Sequence, residues 1–398
     1  MAKNLVSLRL KDCPSLTEVP SSLQYLDKLE YINLRCCYNL RSFPMLYSKV
    51  LRKLSIDQCL DLTTCPTISQ NMKSLRLWGT SIKEVPQSIT GKLKVLDLWG
   101  CSKMTKFPEV SGDIEELWLS ETAIQEVPSS IQFLTRLREL EMNGCSKLES
   151  LPEITVPMES LEYLGLSETG IKELPSSIQS LTRLRDLDMS GCSKLESLPE
   201  ITVPMESLVE LNLSKTGIKE LPSISFKHMT SLKFLKLDGT PLKELPSSIQ
   251  FLTRLQSLDM SGCSKLESFP EITVPMESLA ELNLSKTGIK ELPLSIKDMV
   301  CLKKLTLEGT PIKELPLSIK DMVCLEELTL HGTPIKALPD QLPPSLRYLR
   351  TRDCSSLETV PSIIDIGRLQ LRWDFTNCFK VDQKPLIEAM HLKIQVSL

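Results

Sequence analysis

One phrase returns along almost the whole chain: Leu-x-x-Leu-x-Leu, two further residues, Cys or Thr, then an apolar residue and Leu-Pro or Val-Pro. Its first apolar position falls at Leu5, Leu29, Leu51, Met72, Leu93, Ile114, Leu137, Leu161, Leu184, Leu208, Leu232, Leu255, Leu279, Leu302, Leu325 and Leu346. These are sixteen copies at intervals of 21 to 24 residues. A unit this short cannot bury its own leucine face, so neighbouring copies must stack to make one continuous core. The 398 residues, which otherwise suggest two or more globular domains, then read as one array.

Within each copy the alternation places Leu96 and Leu98 on one face and Val95, Asp97 and Trp99 on the other, which predicts one short parallel strand per repeat. Two residues beyond the strand motif stands Cys (Cys13, Cys37, Cys59, Cys101, Cys145, Cys192) or Thr (Thr80, Thr122, Thr169, Thr216), and the pattern continues to Thr333 and Cys354. A small side chain fits where the chain turns inward, and a Thr hydroxyl can bond backbone that strand pairing leaves free, so this column reads as a structural ladder. The Pro closing each unit and the brief SSI or LSI segments after it are too short for long helices. The expected fold is an α/β solenoid: a leucine-rich repeat horseshoe with a concave parallel β-sheet and a mostly irregular or 3₁₀ convex side.

The segment IQFLTRLRELEMNGCSKLESLPEITVPMESL recurs almost unchanged as IQSLTRLRDLDMSGCSKLESLPEITVPMESL, as tandem duplication would leave it. Adjustable repeat number suits recognition better than catalysis. The thirteen cysteines form no CxxC pair, so free thiols in a reducing compartment are expected. A net charge of −3 gives no pull toward nucleic acid or membrane, and neither an export signal nor a run of about 18 apolar residues is evident.

The phrases GCSKLESLPE and ETGIKELPSSI, with alternating Cys and Thr repeats, resemble the leucine-rich repeat region of plant intracellular immune receptors of the TIR and nucleotide-binding class. The resemblance covers about residues 1–361, and LRWDFTNCFKVDQKPLIEAM looks like the start of the post-repeat domain, giving a solenoid over 1–361 and a capping segment over 362–398. It implies an intracellular protein-recognition module, cytoplasmic or also nuclear, that binds a pathogen-derived or guarded host protein. It also implies that the basic first repeats dock on the receptor's own nucleotide-binding module and hold it inactive. No phosphate loop GxxxxGK[ST] occurs, so the nucleotide switch of such receptors is not expected in this chain. The chain reads as a fragment or a standalone relative, and as a monomer, because oligomers in this family form through other domains. A constitutive scaffold without a switch is the alternative.

The outward positions segregate by charge sign. The first repeats present Arg9, Lys11, Arg35, Lys53 and Arg76 against Asp57; the middle ones present acids such as Glu139, Glu141, Asp186 and Asp188; the last presents Tyr348, Arg350 and Arg352. Trp78, Trp99 and Trp118 fall on outward positions of three successive repeats beside Arg76, either as one contiguous binding patch or as rings stacked on one another or lying under a loop. Trp373 lies beyond the repeats, where Leu371, Trp373 and Phe375 alternate like a strand capping the last one. His228, His331 and His391 have no partners at metal-ligand spacing, and the paired acids need no role beyond a polar sheet face, so no cofactor, metal or catalysis is expected.

Overall fold

A computed structural model describes residues 4–44, 49–66, 71–86, 92–110, 113–223, 225–361, 372–382 and 384. The chain divides into two compact units, Met1–Leu195 and Glu196–Leu398. In the first, three-residue strands follow one another as β1 (Ser7–Arg9), β2 (Tyr31–Asn33), β3 (Lys53–Ser55), β4 (Ser74–Arg76), β5 (Val95–Asp97), β6 (Glu116–Trp118), β7 (Glu139–Glu141), β8 (Tyr163–Gly165) and β9 (Asp186–Asp188). Each pairs in parallel with the next in sequence, and the central leucine of one strand, Ile32 in β2, stands opposite the central residue of its neighbour, as with Leu96 and Leu117.

The second unit repeats the arrangement with β10 (Glu210–Asn212), β11 (Phe234–Lys236), β12 (Ser257–Asp259), β13 (Glu281–Asn283), β14 (Lys304–Thr306), β15 (Glu327–Thr329), β16 (Tyr348–Arg350) and β17 (Arg372–Asp374). Each unit is thus a parallel β-solenoid. Seven 3₁₀ turns are present among the described residues, six of them beginning directly after a proline, as Ser129–Phe133 follows Pro128. The fixed φ of proline starts the turn, and no longer helix is needed to close a unit of this length. Lys384 apart, which is helical, the α part of the α/β class is made of these turns among the described residues.

Stacking decides what is buried. The leucine columns are almost wholly covered, Leu75, Leu96, Leu117 and Leu137 among them, whereas Leu5, Leu8 and Leu10 beside β1 are only half-buried. At roughly 25 cal/mol per Å² of apolar surface removed from water, these columns supply the main favourable term.

A second periodic feature is in the backbone. Nine non-glycine residues, including Asp12, Cys36, Gln58, Glu121 and Lys215, and eight glycines, including Gly79, Gly100 and Gly144, have positive φ. Each stands immediately before a ladder Cys or Thr, so the left-handed residue makes the inward turn that presents the ladder side chain. The series ends at Asn377, before Cys378, and β17 pairs with β16 through Leu349 opposite Trp373. The repeat pattern therefore runs one strand beyond the sixteen copies counted in the sequence, with Trp373 in the place of a central leucine. Leu371 and His391 lie outside the described residues.

Candidate functional site

The ladder positions share one hydrogen-bonding plan. Thr80, Thr122, Thr169 and Thr216 each donate Oγ1–H to the carbonyl three residues back, at 2.8 to 2.9 Å. The cysteines donate instead to the preceding repeat: Cys37 to the Leu10 carbonyl, Cys59 to Leu34, Cys101 to Leu77, Cys145 to Leu119 and Cys192 to Leu166. Wherever Cys follows Thr, both side chains converge on one oxygen; Thr169 and Cys192 meet at the Leu166 carbonyl with Oγ1 and Sγ 3.1 Å apart. Cys13, in the first repeat, turns to its own Lys11 carbonyl at 3.6 Å. All thirteen thiols are free, and burial raises those of Cys37, Cys101, Cys145, Cys192 and Cys263, and that of Cys59 to about 12.

On the outward face of the first unit two of the three tryptophans stack on one another, and the third stands on the next strand. Trp78 and Trp99 each follow the last leucine of their motif, and their rings stack with centroids 5.4 Å apart. The Arg35 guanidinium lies 5.6 Å from the Trp78 ring, which continues the stack toward β2. Trp118 occupies the strand position before the last leucine, opposite Asp97, so it belongs to a different column. Arg76 reaches across β5 and over its ring at 5.2 Å, and the half-buried indole keeps its Nε1 without a hydrogen-bond partner. Trp99 is 43 % exposed, enough to offer an apolar face to a partner.

Between these columns lies Asp97, opposite both Arg76 and Trp118 in the ladder and only 7 % exposed. Its Oδ1 accepts the Trp99 backbone N–H at 3.1 Å. Burial pushes its carboxyl up to about 6, more than that hydrogen bond and the nearby Arg76 charge hold it down. The sequence marked Asp97 only as outward; its signal was a short acid in register between Arg76 and the bulky Trp118.

A depression of about 610 Å³ opens beside this group, lined by Arg9, Tyr31, Asn33, Arg35, Lys53, Ser55, Asp57 and Arg76. Three of its guanidiniums stack on aromatic rings: Arg9 on Tyr31, Arg35 on Trp78 and Arg76 on Trp118. None of the four cations is ion-paired among the described residues. Asp57 is 9 % exposed; Ser55 donates to its Oδ2 at 2.7 Å, while Oδ1 has no partner.

Further along the face of the first unit, burial and then the Glu139 charge raise the carboxyl of Glu141. In the second unit the basic character of the last repeats is partly neutralised. Arg350 pairs with Glu327 at 3.4 Å and Arg352 with Asp353 at 3.4 Å, while the Arg350 and Arg372 guanidiniums both lie over the Tyr348 ring, at 5.9 and 5.8 Å. His331 is half-buried with Nδ1 unpartnered. No helix among the described residues is long and apolar enough to cross a membrane.

Comparison with known proteins agrees with this geometry. Residues 206–266 match the family model for the leucine rich repeat. The disease resistance protein RPS6 of Arabidopsis thaliana is 39 % identical over 90 residues, 22 % of this chain and 8 % of RPS6. RPS4B of the same plant is 31 % identical over 182 residues, 38 % of this chain and 15 % of RPS4B. The chain thus spans only a small part of the length of these relatives. Among solved structures, a leucine-rich repeat protein of Leptospira interrogans superposes with a TM-score of 0.59 at 24 % identity, covering 84 % of this chain and 86 % of that one. A chain of the Toll–Spätzle complex of Drosophila superposes with a TM-score of 0.67 at 17 % identity over 89 % of this chain and 56 % of that one. The chain is built of leucine-rich repeats, and its sequence matches in part the disease resistance proteins of Arabidopsis.

Proposed function

We propose that this chain is the recognition module of a plant disease resistance receptor. It binds a pathogen-derived or guarded host protein, and its first repeats hold the receptor's nucleotide-binding module inactive until that ligand binds. The observation that carries the reading is the Arg35–Trp78–Trp99 stack on an open strand face, with Trp99 substantially exposed. Trp and Arg supply most anchors of protein interfaces, because a large ring or planar cation gains much contact area for little lost freedom. The partial identity to disease resistance proteins supports the biological setting.

On this reading the role is binding rather than catalysis, without cofactor, in the cytoplasm or nucleus, by a monomer when the chain is isolated. Residues 1–361 are the recognition solenoid, and 362–398 a closing segment whose strand β17 completes the last repeat. A ligand shifts such a receptor only by binding its open state more tightly than its closed one.

The test is affinity capture from plant extract by the native chain and by a Trp78→Ala, Trp99→Ala variant whose circular dichroism is unchanged. Loss of a specific protein partner by the variant supports the reading. Identical captured sets from both chains would remove the tryptophan stack as the interface.

A further inference from the structure

Beyond protein recognition, and independently of it, the depression lined by β1 to β4 has the chemistry of a small-ligand site. We infer that it binds an organic phosphate carrying at least two phosphate groups and a hydroxyl, such as a phosphorylated polyol or a nucleotide. Its volume of about 610 Å³ falls within the range of roughly 300–1,000 Å³ usual for such sites.

The charge balance favours a compact polyanion. Arg9, Arg35, Lys53 and Arg76 face one carboxylate, Asp57, in this volume, and none of the cations has an ion-pair partner among the described residues. Stacking of the three guanidiniums on Tyr31, Trp78 and Trp118 fixes their planes while leaving N–H edges free, the arrangement that grips a phosphate through two bonds at once. An extended acidic peptide points alternate side chains away from the surface, so it brings fewer charges into the same space than a bisphosphate does.

Asp57 then decides between ligands. Asp57 lines the depression and is nine-tenths buried, and its Oδ1 lacks a partner, which is costly unless a donor arrives. The Arg35 Nε is likewise buried and unpartnered. A bare polyphosphate offers Asp57 only like charge, whereas a ligand hydroxyl donates to Oδ1 while its phosphates meet the cations. The site is therefore selective for phosphate esters over inorganic pyrophosphate.

Isothermal titration calorimetry on the whole chain tests this with fructose 1,6-bisphosphate, ATP and pyrophosphate. Saturable binding of fructose 1,6-bisphosphate or ATP, at least tenfold tighter than pyrophosphate, is expected; which of the two binds better identifies the polyol or the nucleotide class. Arg35→Gln should weaken binding at least tenfold. Lys53→Gln, on an exposed side chain, should weaken it about threefold with the fold unchanged. Asp57→Ala should bring the ester and pyrophosphate affinities within threefold of each other. Absence of saturable binding by either ester, equal affinity for pyrophosphate in the native chain, or an unaltered affinity in Lys53→Gln together with Arg35→Gln overturns the assignment. So does a synthetic alternating-glutamate peptide that displaces the ester at lower concentration.

Discussion

Replacing Asp97 by Asn should stabilise the first unit at neutral pH, although it removes a charge next to an arginine. The carboxyl moves from its ordinary 3.8 to about 6, burial being the largest cause. At about 1.4 kcal/mol per pH unit, this places a ceiling of about 3 kcal/mol on the cost of keeping Asp97 ionised in the folded chain. The folded form holds the proton more tightly than the unfolded form does, so stability declines as the pH rises from 3.8 through about 6. Asn keeps an oxygen for the Trp99 N–H and nearly the same shape, but never ionises. The variant should therefore be about 1–3 kcal/mol more stable than the native chain at pH 7.5 and indistinguishable from it near pH 4. With a urea slope of about 3 kcal/mol per M, the midpoint at pH 7.5 rises by about 0.3–1 M. Urea titrations of both chains at pH 4, 5, 6 and 7.5, followed by tryptophan fluorescence, read this directly. A lower midpoint for the variant at pH 7.5 would show that attraction to Arg76 exceeds the burial cost. A gap of equal size at pH 4 and 7.5 would show that packing, not ionisation, is responsible.

Other outcomes follow from the ladder and the turns. Thr169→Val and Cys192→Ala each leave the Leu166 carbonyl one side-chain donor, so each single change should cost about 1 kcal/mol or less in urea titrations and the double variant more than their sum. Gly170 has no room for a side chain, because a Cβ there would lie 2.7 Å from the Ser146 carbonyl oxygen; Gly170→Ala should lower stability by about 1–3 kcal/mol, and a neutral result would show that the turn relaxes freely. Alkylation at pH 8, read by mass spectrometry, should label half-buried Cys301 and Cys324 well before Cys59, Cys145, Cys192 and Cys263, whose burial raises their thiols.

Much of this architecture was legible because burial acts on a fixed spacing: each Leu-x-Leu fixes a strand face, and each Pro after it fixes where the next turn begins. The last strand was legible only as the alternation of Leu371, Trp373 and Phe375 and not as a further repeat, since Trp373 replaces the central leucine. The site was legible one residue at a time and not as an assembly. Sequence places Trp78, Trp99 and Trp118 outward but cannot weigh the offset of Trp118, one column away, against the reach of an arginine. Only the register shows Arg76 crossing a short Asp97 to the Trp118 ring. The depression has the same origin: Arg9, Arg35, Lys53 and Arg76 come from four repeats, and their convergence around Asp57 depends on how far each side chain leans along the sheet.

The stacked Trp78 and Trp99 rings also give the protein an optical signal of its own. Two indoles 5.4 Å apart and tilted by 24° couple their electronic transitions, so they should produce a paired positive and negative band in circular dichroism that a single tryptophan lacks. The rings sit on adjacent repeats, and a change in the twist between those repeats alters the angle between them before any core leucine is uncovered. The first unit therefore carries a spectroscopic gauge of its own bending. A ligand settling on this face could be followed, and its effect on local curvature read, without attaching a probe.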